Sequence, residues 1–335
     1  MKKTPKHVFQ KIMLTILVLI MSVLVVRGYY SIRYRNQTFK IDPIYDIDSH
    51  HIDGVQIKHV ETGSLNGYHF IPDHKTHEGV IIAFGGTEGQ CEQWFGEYYS
   101  TLGYEVLCLY YFGQDNQPKK LEEVPIEFFD EALCYLDYPD DLTVYGVSKG
   151  AELALLLATH YECIDHLILN GPSSHIYPGM NPTKSAWSYQ GKPLETAVIP
   201  INAYLPTIEF FLDLLVKKPT GCIKSYDAIL ANQKDIDIGR IRVEDIDENV
   251  DILMFAGTDD RMWASSTMAN LIKEHRPNHT ELILLQGAGH VFYVDHLLLE
   301  TKGCIIYAGG TLEKNKEAFE LFKQEVSKHL ETWCK

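Results

Sequence analysis

Gly146-Val147-Ser148-Lys149-Gly150 has the spacing G-x-S-x-G, a serine held between two residues without side chains. A hydroxyl is a weak nucleophile until a neighbouring base takes its proton. His290, on the glycine-flanked stretch Gln286-Gly-Ala-Gly289-His290, is the residue type able to do this near neutral pH. A carboxylate behind the imidazole would orient it and stabilise its charged form. Gly257-Thr258-Asp259-Asp260 offers two. Asp260 is preferred, because one more residue beyond the preceding apolar run lets its carboxylate face the histidine loop. Asp259 then serves as a turn or cap residue. Serine, acid and base in that chain order would perform acyl transfer through a covalent acyl-serine. The negative oxygen formed on the way needs N–H donors. The backbone of Lys149 supplies one, and Gly86 in Phe84-Gly85-Gly86-Thr87-Glu88-Gly89 supplies a second, with Thr87 as alternative.

G-x-S-x-G is too short to mean much alone, so its weight depends on the elements around it. From residue 54 onward, short apolar runs alternate with helix-period stretches, the pattern of an α/β sheet. Val55–Glu61 and Gly67–Ile71 read as a hairpin turning at Asn66-Gly67. Gly79–Phe84, Glu105–Tyr111, Leu142–Tyr145, His166–Asn170, Asp251–Ala256 and Thr280–Leu285 read as strands buried on both faces. Helices are expected at Ile126–Leu136, Lys149–Tyr161, Ala264–His275 and Lys314–Leu330. Ser148 then stands between a strand and a helix, the context a nucleophile elbow demands. Asp260 and His290 each follow a later strand. The fold class expected is the α/β-hydrolase fold, a mostly parallel sheet with helices on both faces. Residues 172–248, rich in proline and aromatic clusters, read as a cap insertion that shapes the acyl pocket.

The first thirty residues differ in kind. Lys2, Lys3, Lys6 and Lys11 precede the apolar run Ile12–Val26, and Arg27 and two tyrosines follow it without a small-residue cleavage pattern. Residues 1–30 are therefore expected to be a single-pass transmembrane anchor, residues 31–50 a polar linker, and residues 51–335 the catalytic domain. The flanks are close in positive charge and lean weakly toward an outward-facing domain; the side of the membrane stays open. The chain of 335 residues is 45% hydrophobic with a formal net charge of −15, enough for one large core and a poor match to nucleic acid. Seven cysteines without a C-x-x-C pair give neither a disulfide framework nor a zinc site. No metal and no cofactor are expected.

The wording at Gly146–Leu155, GVSKGAELAL, resembles the catalytic domain of acyl-CoA thioesterases related to bile acid-CoA:amino acid N-acyltransferase. Phe84-Gly85-Gly86, Leu109-Tyr-Tyr, Pro118–Leu136, Leu169-Asn-Gly171, Tyr189–Pro193, Gly257–Ser265, Gly289-His290 and Gly309-Gly310 are similar to that family in the same order, over residues 78 to 332. The resemblance implies a triad at Ser148, Asp260 and His290 and hydrolysis of acyl-CoA to free fatty acid and CoA. The amidating branch has cysteine as nucleophile, so serine favours water as acceptor. The family's longer members carry an amino-terminal β-sandwich, which the roughly fifty residues between the anchor and the sheet are too few to hold. A coenzyme A head group predicts a basic phosphate patch, for which Lys119, Lys120, Lys184 and Lys192 are candidates. The competing expectations are a membrane-anchored carboxylesterase acting on a non-CoA ester and a non-catalytic anchored binding protein.

Overall fold

The apolar runs become the strands of one eight-stranded sheet in a computed structural model that describes residues 5–41, 51–179, 181–233, 237–301 and 303–334. In chain order the elements are α1 (Pro5–Tyr34), β1 (Thr38–Lys40), β2 (Val55–Thr62), β3 (Leu65–Pro72), β4 (Val80–Phe84), α2 (Gln93–Thr101), β5 (Glu105–Tyr110), β6 (Val124–Pro125), α3 (Phe128–Tyr135), β7 (Leu142–Val147) and α4 (Lys149–Ala158). They continue with β8 (His166–Asn170), β9 (Trp187–Tyr189), β10 (Lys192–Pro193), α5 (Ile201–Leu215), α6 (Ile223–Gln233), β11 (Asp251–Gly257), α7 (Ser265–His275), β12 (Thr280–Leu285), β13 (Leu298–Thr301), β14 (Cys304–Tyr307) and α8 (Leu312–Trp333).

The large sheet has the order β12-β11-β8-β7-β4-β5-β3-β2. The six strands from β5 to β12 run parallel, and the β2–β3 hairpin joins antiparallel at one edge. Parallel strands need helical crossovers, and these cover both faces. On one face Phe129 of α3, Leu155 of α4 and Ile272 of α7 pack on Val144 and Leu167. On the other, Phe95 and Tyr99 of α2 and Phe322 and Val326 of α8 pack on Tyr145 and Phe255. This is the α/β-hydrolase fold.

Three features differ from the sequence expectation. The hairpin turns at Gly63-Ser64, with Thr62 opposite Leu65; Gly63 takes φ +56°, and Glu131 of α3 accepts from the Ser64 N–H at 2.7 Å and hydroxyl at 2.7 Å. Asn66-Gly67 lies inside β3 instead, paired with β5. The apolar N-terminal helix runs on to Tyr34. Part of the expected linker, Thr38–Lys40, pairs with Leu298–Glu300; residues 42–50 lie outside the described residues. Between β8 and β11 the proline-rich segment folds into β9, β10 and two helices, α5 keeping Pro206 inside it.

Candidate active site

The serine sits at the junction of β7 and α4. Ser148 has φ 56° and ψ −115°, a conformation that costs a non-glycine residue on the order of 1–3 kcal/mol and persists only when its surroundings impose it. They do: Ser148 N donates to Asn170 O at 2.8 Å. A Cβ on Gly146 would fall 2.2 Å from Gly150 O, and one on Gly150 would fall 2.4 Å from Gly85 O. Small residues flank the serine because three backbone segments meet there.

Asp260 and His290 are brought together. His290 Nδ1 lies 2.7 Å from Asp260 Oδ2, and both side chains are buried. The other oxygen, Oδ1, accepts the backbone N–H of Met262 at 2.8 Å and of Trp263 at 3.2 Å, and Ser265 Oγ donates to Oδ2 at 2.7 Å. The carboxylate is thus held by four donors. Asp259 faces elsewhere, 2.5 Å from the Arg261 guanidinium, and accepts the Gly310 N–H at 3.0 Å. Burial works against charge on His290. The charge of Asp260 and its hydrogen bond, with a smaller contribution from Glu88, outweigh it, and the imidazole titrates above its ordinary value. Trp263 stands edge-on to the imidazole with ring centres 5.8 Å apart and donates its indole N–H to Gly171 O at 3.2 Å.

Ser148 and His290 line one cavity of about 280 Å³ together with Gly86 and Thr87. Its remaining wall comes from Phe39 and Ile41, next to α1, from Leu299 and Ile306 of the β13–β14 hairpin, and from Tyr293. Among the described residues, no side chain from 172–248 lines it, so the insertion does not form this wall as the sequence suggested. Tyr177 and Trp187 of that segment are core residues. A larger cavity of about 630 Å³, bordered by His175, Asp227 and Arg240, holds none of Ser148, Asp260 and His290. The chemistry of the side chains, not cavity size, identifies the site.

Two residues at the site escaped the sequence reading. Glu88 lines the cavity and accepts the Gly86 N–H at 2.9 Å, so the donor assigned to an oxyanion is engaged by a carboxylate here. Tyr111 Oη, donating to Gly86 O at 2.7 Å, fixes the loop. Lys149 was singled out for its backbone alone, yet its side chain is buried and lies 2.7 Å from Glu152, which also accepts Trp187 Nε1 at 2.8 Å. Burial pushes Lys149 below and Glu152 above their ordinary values. The signal was present as K-x-x-E on one helix face. None of Lys119, Lys120, Lys184 and Lys192 lines the cavity; the first three pair with Asp115, Glu122 and Glu123. Among the described residues no three His, Cys, Asp or Glu side chains converge to hold a metal ion.

Known proteins are similar to this chain in sequence and in fold. The chain is 26% identical over 248 residues to acyl-coenzyme A amino acid N-acyltransferase 1 of Mus musculus, covering 71% of this chain and 54% of that protein. It is 24% identical over 269 residues to mitochondrial acyl-coenzyme A thioesterase 2 of Mus musculus, covering 77% and 55%. The chain therefore spans about half the length of these curated relatives. Among solved structures, the Pyrococcus furiosus esterase Pf2001 superposes with TM-score 0.51 at 14% identity, covering 89% of this chain and 100% of that one; at that identity the likeness speaks for the fold. Residues 124–297, from β6 through the loops of Asp260 and His290, match the family described as BAAT / acyl-CoA thioester hydrolase C terminal, and the chain belongs to that family.

Proposed function

We propose that this chain is a serine hydrolase that cleaves acyl thioesters, acyl-CoA to free fatty acid and CoA first among them. The observation that carries this reading is the buried 2.7 Å contact between His290 and Asp260, with His290 and Ser148 on one cavity. A carboxylate can only accept, so Nδ1 carries the proton and Nε2 keeps its lone pair for the serine. Ser148 Oγ attacks the acyl carbonyl carbon and its proton passes to Nε2. The oxyanion is met by the Lys149 N–H and, once Glu88 withdraws, by Gly86. The C–S bond breaks and the leaving sulfur takes the proton from His290. Water then attacks the acyl-serine and gives a proton to Nε2. The second intermediate collapses to the free acid as Oγ regains its proton.

The relatives named as acyl-coenzyme A thioesterases support the substrate class. Helix α1, apolar from His7 to Tyr34 and 0% buried, serves in this reading as a single-pass anchor. Residues 51–335 form the hydrolase, with 172–248 inserted between β8 and β11. A second reading, a membrane-anchored carboxylesterase on a non-CoA ester, is favoured by the acidic Glu88 and by the cavity's lack of the lysines a phosphate would need. Turnover of acyl-CoAs and of matched p-nitrophenyl esters by the full chain separates the two. Higher kcat/KM on acyl-CoA, reduced by about 10⁴ or more in Ser148→Ala, is expected. Ester turnover alone would remove coenzyme A. No labelling of Ser148 by a fluorophosphonate would remove the enzyme altogether.

A further inference from the structure

Helix α5 is amphipathic the wrong way round for a packed surface helix. Ile201, Tyr204, Leu205, Ile208, Phe211 and Leu215 recur at alternating spacings on one face and all are exposed, Ile201 to 88% and Leu205 to 65%. The opposite side meets α6, where Ala203 is buried and Thr207 Oγ1 lies 3.1 Å from Ser225 Oγ. A surface helix ordinarily turns its apolar stripe inward, and a continuous exposed stripe of this size marks an interaction face.

Its position says what covers it. The apolar run of α1 ends at Arg27, whose guanidinium donates to Leu215 O at 2.7 Å and to Gly303 O at 3.1 Å. The carboxyl end of α5 therefore lies level with the end of the apolar run. Lys217, two residues on, pairs with Glu300 of β13 at 2.9 Å, and Thr220 bridges to Ile306 of β14. Phe39 of β1, Ile41 just after it, Leu299 of β13 and Ile306 of β14 line the cavity of Ser148 and His290. The end of α1's apolar run, the carboxyl end of α5 and the strands that wall the cavity of Ser148 and His290 are thus joined side by side.

We infer that this region is a membrane-docking face: α5 lies in the lipid interface, and the catalytic cavity opens where α1 leaves the bilayer. The acyl chain of the substrate then enters from the lipid and not through water. The occupant is a lipid surface, because the stripe is joined at its end to a helix long and apolar enough to cross one. The inference rests on the reading of α1 as an anchor.

The test places one tryptophan at a time on the full chain, Leu205→Trp or Phe211→Trp, in vesicles of phosphatidylcholine with or without brominated acyl chains. Tyr138→Trp, exposed at the opposite end of the sheet, is the control, and the parent protein corrects for the native tryptophans. Quenching at 205 and 211 but not at 138 is expected. In Leu205→Glu/Phe211→Glu, KM for a long-chain substrate carried in the vesicles should rise roughly tenfold while turnover of a short soluble ester is unchanged. A protein that stays with the vesicles after an alkaline wash yet shows no quenching overturns the docking face and leaves the anchor intact. A protein that leaves the vesicles overturns both. A dimer dispersed by the double glutamate variant, without quenching, would assign the stripe to a second copy.

Discussion

Glu88 and Asp260 act on the same imidazole from different distances, and their effects can be told apart. Asp260 touches His290 and holds its tautomer, so Asp260→Asn should lower kcat by about 10³–10⁴ with little change in fold. Glu88 raises the pKa of the imidazole through its charge. Activity needs neutral His290 and rises as pH climbs through its pKa. Because Glu88 helps raise that pKa, Glu88→Gln should move the acidic limb of kcat/KM to lower pH. A limb that stays in place would remove Glu88 from the field of the base. Asp260 was readable in the sequence, because it lies three residues past the end of β11, one further than Asp259 and so better able to face the histidine loop. Glu88 was not. Its role depends on a carboxylate folding back two residues to its own loop N–H, which no spacing rule encodes.

At the scale of elements, the segments around the serine are stabilised by groups that sequence patterns treat as surface. Lys149 and Glu152 look like a solvated helix pair; instead α4 is buried along its whole length. Removing one member of a buried pair leaves an uncompensated charge, so Lys149→Met should cost about 3–5 kcal/mol in denaturant unfolding. Glu92, before α2, is a second case. Burial, then the charge of Glu88, raises its pKa to about 8 despite the 2.6 Å bond from Trp94 Nε1. Below the ordinary carboxyl range both folded and unfolded chains hold this proton. Between there and pH 8 only the folded chain holds it, so its contribution to stability falls as pH rises through that window. Glu92→Gln should therefore gain Tm over the parent progressively from acidic to alkaline pH; a constant difference would refute the buried proton.

The strands that carry Ser148, Asp260 and His290 were legible because each is an apolar run of strand length. Helix α2 and the helices α5 and α6 were not. Tyrosines dilute the period of α2, and Pro206 within α5 reads as a breaker although its neighbours tolerate it. The β2–β3 turn misled for another reason. Gly63-Ser64 and Asn66-Gly67 are both competent turn dipeptides, and the choice is made by Glu131 from a distant helix. Pairing of β1 with β13 is equally remote, Thr38 meeting Glu300 across 262 positions, so the cavity wall could not be read from local pattern.

For the whole molecule, the proposed anchor raises the question of what would hold the chain at a membrane. Its formal net charge is −15, so attraction of basic residues to anionic lipid is a poor source of affinity. In the proposed reading, binding comes from apolar burial by α1, which is insensitive to salt. The full chain should remain in the membrane fraction through both high salt and alkaline carbonate. A signal sequence passes the same test of length and composition, and the two are separated by the mass of the mature protein. Arg27 argues for retention: it follows the apolar run, and it donates to carbonyls of α5 and of the turn before β14, contacts a processed chain would lose. Intact protein isolated from membranes should therefore keep the residues of α1. Leu17→Arg, at the middle of the run, should cost about 2.5–3.5 kcal/mol of insertion and release a measurable fraction to the supernatant. A mature protein beginning beyond Arg27, soluble without detergent, would make α1 a targeting segment and would remove the docking face that rests on the anchor.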